Sequence, residues 1–576
     1  MTAAAATRSA AETPEVNAGD PPSSPTGVLG EVETRIDWTL TLLAETAVAV
    51  GGAYAGDTTD LTIARDGLGR PYIPGTSWAG VLRSVAGRVG LSPAAVRAVF
   101  GHQENGRSET SDAGWASLVT VHDTVVTDTG LELRTGVGID RVTGAAADRI
   151  RFDREVLPAG TSVTLRLRYE GPAGAGPEAV RTLLGAVRAD GVAVGGSTRR
   201  GLGRFRCLTV TERTVDLRSR ADLLAWFQGS ATESEILPRQ VDTSRLHLDV
   251  SWRPIRPVVV ATGTPADGAH LVPVMARTAT GDGLVPILPA TSVKGVLRSL
   301  AERIARTVLA DAAPAPSTAT EDDDVDGDAN DGGDGAPAAD FVGTMDAFAL
   351  RVPAIEALFG SRRRAGALWV ADTAAQAPII DPQAWADHLA GQPSTADGDT
   401  AEPDGGRPGW DRVRTHVAID RWTGGTADQQ LFTVQELAGV RWPALRLEVD
   451  LPALHRALAR PAAEDRDAAA GDDDGSHRDR VRAALVLLGC ALGVLLDGDT
   501  GFGHGTTRGL GEVEVTGLRV RMPADGDLPG CPDLSGANPD ELREMWWMWL
   551  DDLAPRQGWV PALRPVPDGA DVRTAP

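Results

Sequence analysis

Two short strings in this chain carry residue types suited to holding an anion such as a phosphate, and each occurs twice. PGTSWAGVLR at 74–83 returns as PATSVKGVLR at 289–298. In the first copy Pro74 and Gly75 end the preceding strand, Thr76 or Ser77 can cap a helix, and the first-turn amides point at whatever lies in front. Arg83, like Arg298 in the second copy, falls about two turns along that helix. The other string, TRRGLG at 198–203, returns as TTRGLG at 506–511. Gly201 and Gly203 would let backbone approach a ligand closely, while Arg199 and Arg200 supply charge. Taken singly, the first string also reads as a plain strand-to-helix corner with a surface Arg, and the second as a tight hairpin. Both together, twice over, favour a binding site.

The elements that must position these strings are duplicated as well. RIDWTLTL alternates Ile36, Trp38, Leu40 and Leu42 onto one strand face, and RLHLDVSW does the same with Leu246, Leu248, Val250 and Trp252. After each corner string come AVFG or ALFG, a segment ending at Asp123 or Asp372, then GVGIDRVTG at 136–144 or HVAIDRWTG at 416–424. A Leu-rich helical run follows and leads into the Arg-Gly string. The identical order marks a tandem duplication. The offset between copies is 210 at the first strand and 215 at Pro74 and Pro289. It then reads 259 at Phe100 and Phe359, 249 at Asp123 and Asp372, 280 at Asp140 and Asp420, and 308 at Arg200 and Arg508. The second copy is therefore the first with long loops added.

Those loops explain the charge. The 576 residues carry a net −23, which taken whole argues against a polyanion partner. Residues 311–340 hold ten acids and no base, 391–406 four acids and no base, and 464–474 six acids against one Arg, together −19. About −4 is left for the rest, so a local basic groove is compatible with the composition. The three stretches are rich in Ala, Gly, Pro and Asp and read as solvated insertions, and residues 1–32 read as a disordered tail. No run of eighteen apolar residues suggests a membrane span. Cys207, Cys490 and Cys531 are too few and too far apart for a disulfide framework or a zinc site, and the expected location is cytoplasmic.

The set IPGTSxxGVLR, LFG, IDRxTG and a terminal TxRGLG, in that order, resembles the RAMP superfamily. Within it the chain is most similar to the backbone subunits of type III CRISPR effector complexes. The resemblance implies an α+β fold of two tandem ferredoxin-like domains, modified to resemble RNA-recognition modules and bearing protruding thumb hairpins. They would span 33–214 and 244–522, joined by a linker at 215–243 and followed by an extension at 523–576. It implies guide RNA, complementary target RNA and other RAMP and CRISPR effector subunits as partners, with no membrane. RNA-backbone contacts would fall on Ser77 and Arg83, and on Ser292, Lys294 and Arg298. The first copy departs from the family at Ala79, where a Lys often stands. Arg199, Arg200 and Gly201, with Arg508 and Gly509, would form the Arg-Gly contacts. Arg141 and Arg421 would lie at the base of the thumbs, with surface salt bridges as the alternative.

The resemblance also places a catalytic aspartate before the corner string, at Asp60 in DLTIARDGLGRPYIPG, with Asp57 one short turn earlier. One carboxylate there could deprotonate a ribose 2′-hydroxyl or hold a divalent ion, Mg2+ or Mn2+. In the second copy the expected position falls near Leu271, with Asp267 and His270 nearby but out of register, which suggests a half that binds without cutting or, as the alternative, one that cuts through a shifted Asp267. The competing reading is a structural RNA-binding subunit that leaves cutting to a neighbour. A guide-processing enzyme would rely on an early His, and none precedes His102. The helix expected at 538–552 packs three Trp and two Met into Met545 to Trp549, for core packing or for docking to a neighbour.

Overall fold

The computed structural model describes residues 32–51, 59–103, 114–127, 130–139, 146–240, 244–262, 269–278, 280–314, 348–361, 363–390, 411–459, 473–523 and 528–563. Asp57, Arg141, Asp267 and nearly all of the three acidic stretches lie outside these residues.

In the first domain the strand Thr34–Ala44 sits mid-sheet. It pairs antiparallel with Arg204–Asp216 on one side and Ser162–Gly171 on the other, and the latter pairs with Val119–Val121. Numbering these four strands by chain order, the sheet reads fourth, first, third, second. With the helices Gly75–Arg88 and Ala175–Asp190 as crossovers this is the ferredoxin-like β-α-β-β-α-β path. Ile36, Trp38, Leu40 and Leu42 all face the core, as their alternation predicts.

The second domain repeats the path. Leu368–Val370, Leu445–Asp450, Arg245–Pro254 and Val513–Arg521 lie side by side as second, third, first and fourth. Both central strands carry an irregularity against the last strand at equivalent places, between Thr41 and Leu42 and between Ser251 and Trp252. In each domain a long hairpin is inserted between the second and third sheet strands. These hairpins are Glu132–Ile139 with Ala146–Val156, and Asp411–Ile419 with Thr426–Leu437. They are the thumbs, and they leave apolar side chains uncovered, among them Leu133, Val137, Val417, Ile419 and Leu431.

The corner strings form as the sequence suggests, but their caps come from elsewhere. Pro74 and Pro289 are the N-caps and offer no side-chain cap. Instead the Asp123 carboxylate accepts the Gly75 amide at 2.7 Å, and Asp372 accepts the Ala290 amide at 2.8 Å. An internal carboxylate thus occupies the helix start in both copies, and the first-turn amides are not a free anion site. Asp123→Ala should lower stability by about 1–2 kcal/mol, the usual cost of losing a cap. A thermal midpoint shifted downward by a few degrees would show it. An unchanged midpoint would mean that the carboxylate does not hold the corner.

Segment 215–243, expected to be a linker, is partly built into the first domain. It contains the helix Arg220–Phe227 and the strand Glu233–Glu235, which pairs with Thr211 to Arg213 at the sheet edge. The C-terminal helix Pro539–Leu553 starts from an Asn538 capping box and lies on the helix Asp473–Leu496. Trp546 and Trp549 are buried there and donate to the Gly489 and Pro529 carbonyls, whereas Met548 stays exposed. Most of the Trp cluster is core, as expected from the first of its two readings.

The Arg-Gly loop of the first domain is inserted against the corner of the second. Arg199 pairs with Asp450 at 2.8 Å, and Arg204 pairs with Glu448 at 3.1 Å while its guanidinium lies over Trp369. Gly201, at φ 88°, is so close that an added Cβ would stand 2.5 Å from the Ala290 Cβ. Burial opposes ionisation of Asp450, but Arg199 and the Ala453 amide hold its pKa below the ordinary carboxylate value. The two domains are therefore locked head to tail by ion pairs and close backbone packing.

Candidate nucleic-acid interface

The segment carrying Asp60 runs along the base of the first thumb. Leu61 bridges Arg154 in parallel fashion, with the Leu61 amide donating to the Asp153 carbonyl and the Glu155 amide donating back to the Leu61 carbonyl. The Asp153 amide donates to Asp60 Oδ2 at 2.8 Å. Asp60 is thus exposed yet oriented, with Oδ1 left for a ligand. Asp66, six residues on, is spent on its own turn, accepting the Leu68 and Arg70 amides and the Arg70 guanidinium.

Next to Asp60 the thumb contributes a residue that the motifs did not single out. Arg154 Nη1 donates to Ser197 Oγ at 2.6 Å, and Arg200 Nη2 donates to the same oxygen at 3.0 Å. Burial, and then the Arg200 charge, lower the Arg154 pKa. Neither guanidinium has a carboxylate partner among the described residues, so the pair is matched chemically to an anion. Ser197 holds the two together from a left-handed backbone, φ 58°, where the second copy has Gly505 at φ 72°. Such a conformation costs a non-glycine residue free energy and is kept where the surroundings require it.

The other expected contacts divide. Ser77 and Ser292 lie half-exposed on the first turns of their helices. Arg83 donates to the Phe100 carbonyl and Arg298 to the Gly360 carbonyl, so both tie the corner helix to the end of the next short helix. Arg298 is also paired with Glu302. Lys294 is buried, with Nζ donating to the Leu368 carbonyl at 2.6 Å and across the domain junction to the Arg199 carbonyl at 3.2 Å. It faces protein rather than solvent, which corrects the expectation of an RNA-backbone contact. Arg199 and Gly201 are likewise engaged in the junction. Arg508 and Gly509, the counterparts of Arg200 and Gly201 in the second loop, are exposed, and Arg508 lies 6.0 Å from the Phe432 ring centroid.

Arg421 is exposed at the tip of the second thumb and not at its base, since it falls in the turn joining the two hairpin strands, where Asp420 Oδ1 accepts the Trp422 and Thr423 amides. The motif's variable position, between Arg421 and Thr423, is an aromatic residue. Trp422 is 96% exposed, an aromatic face held at a hairpin tip. An exposed Trp suits stacking on a nucleobase. Among the described residues no three His, Cys, Asp or Glu side chains converge on a site that could hold Mg2+ or Mn2+.

Two domains of RNA-recognition-module-like topology, each with a protruding thumb and an Arg-Gly loop at its base, define a repeated nucleic-acid-binding architecture. The RAMP superfamily profile matches residues 41–206 and 272–514, and the chain belongs to that superfamily. Its class is that of the CRISPR-associated RNA-binding subunits. No curated protein matches the chain. Among the described residues no helix is long and apolar enough to cross a membrane.

Proposed function

We propose that this protein is a guide-RNA-binding backbone subunit of a type III CRISPR ribonucleoprotein, holding the guide–target duplex between its two thumbs and cutting target RNA at the first. One observation carries this reading. An exposed carboxylate, Asp60, is fixed by one oxygen to the thumb strand that also carries Arg154, whose guanidinium shares Ser197 with that of Arg200, and neither guanidinium has a carboxylate partner among the described residues. In this arrangement Oδ1 of Asp60 takes the proton of a ribose 2′-hydroxyl. The 2′-oxygen attacks the adjacent phosphorus, and the 5′-oxygen leaves and is protonated by water, giving a 2′,3′-cyclic phosphate. Arg154 and Arg200 offset the charge that gathers on the phosphoryl oxygens. Trp422 at the second tip stacks on a displaced base.

The binding part of this reading is tested by salt. Arg154→Ala with Arg200→Ala should weaken RNA binding and reduce the slope of log affinity against log salt by roughly one to two. Circular dichroism would establish that the variant is folded. An unchanged slope would remove the cluster from the groove. Protein that purifies free of RNA at low salt would count against the whole assignment.

A further inference from the structure

The second domain has a residue in the place of Asp60, and it is His270. The register follows from backbone hydrogen bonds that repeat bond for bond. Leu271 bridges Val434 in parallel, the Leu271 amide donates to the Thr433 carbonyl, and the Gln435 amide donates back to the Leu271 carbonyl. These match Leu61 with Arg154, Asp153 and Glu155. Where the Asp153 amide donates to Asp60, the Thr433 amide donates to His270 Nδ1 at 3.1 Å. His270, and not Leu271, is thus the counterpart. The five residues that the second copy gains fall after this point, around the strands Met275–Arg277 and Leu284–Leu288, and shift any count made backward from Pro289.

The substitution changes the chemistry. Because Nδ1 accepts the Thr433 amide, its lone pair is engaged and the imidazole carries its proton on Nε2. Thr433 Oγ1, 2.8 Å from Nδ1 and accepting the His270 amide, closes the same side of the ring. The exposed edge of the side chain is then a donor with no free lone pair, where Asp60 presents an acceptor. Val434, fully buried, also stands where the first domain has Arg154. Neither a base nor a second guanidinium is present at this position.

We infer that His270 is a hydrogen-bond donor to an RNA phosphate oxygen, and that the second domain grips the strand at this position without cutting it. This inference rests on the reading of Asp60 above. The test uses the full chain carrying Asp60→Ala, so that the target stays intact, with the copurified guide and a labelled complementary target. His270→Gln, which keeps a donor, should bind the target within about twofold of His270. His270→Ala should bind roughly tenfold more weakly, the worth of one hydrogen bond to a charged group. His270→Asp should bind more weakly still, because a carboxylate repels the phosphate. Equal binding by the Ala variant, or binding by the Asp variant as tight as by His270, would overturn the donor role. In the chain with Asp60 intact, a cut lost in His270→Ala while the Asp60-dependent cut persists would make His270 catalytic and overturn the inference from the other side. A parent chain that never cuts would instead refute the Asp60 reading, and the binding series would still decide the role of His270.

Discussion

Asp60→Ala in the assembled complex should abolish one target cut, slowing it by at least about a hundredfold, while guide and target affinities stay within about twofold. The asymmetry follows from where the carboxylate acts. Asp60 makes no ion pair among the described residues and its only recorded side-chain bond is to the Asp153 amide, so its loss costs the fold little. The 2′-hydroxyl proton, by contrast, must have an acceptor only as the bond to phosphorus forms, which confines the effect to the transition state. A target with a 2′-deoxy sugar at the scissile position should resist to the same degree. Cleavage that continues at the parent rate would remove the nuclease assignment and leave a structural RNA-binding subunit.

The second large effect is expected at Lys294, and it is one of stability. Burial, reinforced by the charges of Arg199, Arg200 and Arg298, lowers the Lys294 pKa to about 7. A neutral amine has two hydrogens, and two carbonyls, of Leu368 and Arg199, receive them. Between about pH 7 and the ordinary Lys value the unfolded chain binds the proton that the folded chain does not. Stability contributed by this group therefore rises with pH through that window, by up to about 1.4 kcal/mol per unit, and is flat below it. Denaturant unfolding of the parent and of Lys294→Met, compared from pH 6.5 to 9.5, should show a difference that shifts toward the parent as pH increases. A difference independent of pH would mean that Lys294 keeps its charge in the folded protein. Lys294→Ala should cost about 2–4 kcal/mol at alkaline pH, since it leaves a cavity and two buried carbonyls without donors.

Much of the architecture was legible because it was written twice. Alternation fixed the inward faces of both central strands, and the order of motifs gave the domain path. Roles of single residues were less accessible, since a motif marks where a chain turns and not what a side chain meets there. Lys294 and Arg199 lie in strings that suit phosphate, yet the pairing of one domain with the next consumes them. Arg154 sits in thumb sequence without a recognisable pattern and Trp422 at the variable position of a motif, and only the contact with Ser197 brings the first beside Arg200. His270 lies one residue from the position expected in the sequence, and only the parallel bridge of Leu271 with Val434 shows that it, and not Leu271, stands opposite Asp60.

The junction between the domains has a consequence for measurement. Arg199 with Asp450, Arg204 with Glu448 and the absent Cβ of Gly201 leave the two halves little freedom to slide or tilt. The distance between Asp60 and His270 is in that case a property of the polypeptide. On the proposed function the chain would work as a caliper, with jaws set during folding and laid along whatever strand is loaded, and its divisions should stay uniform across unrelated RNA sequences.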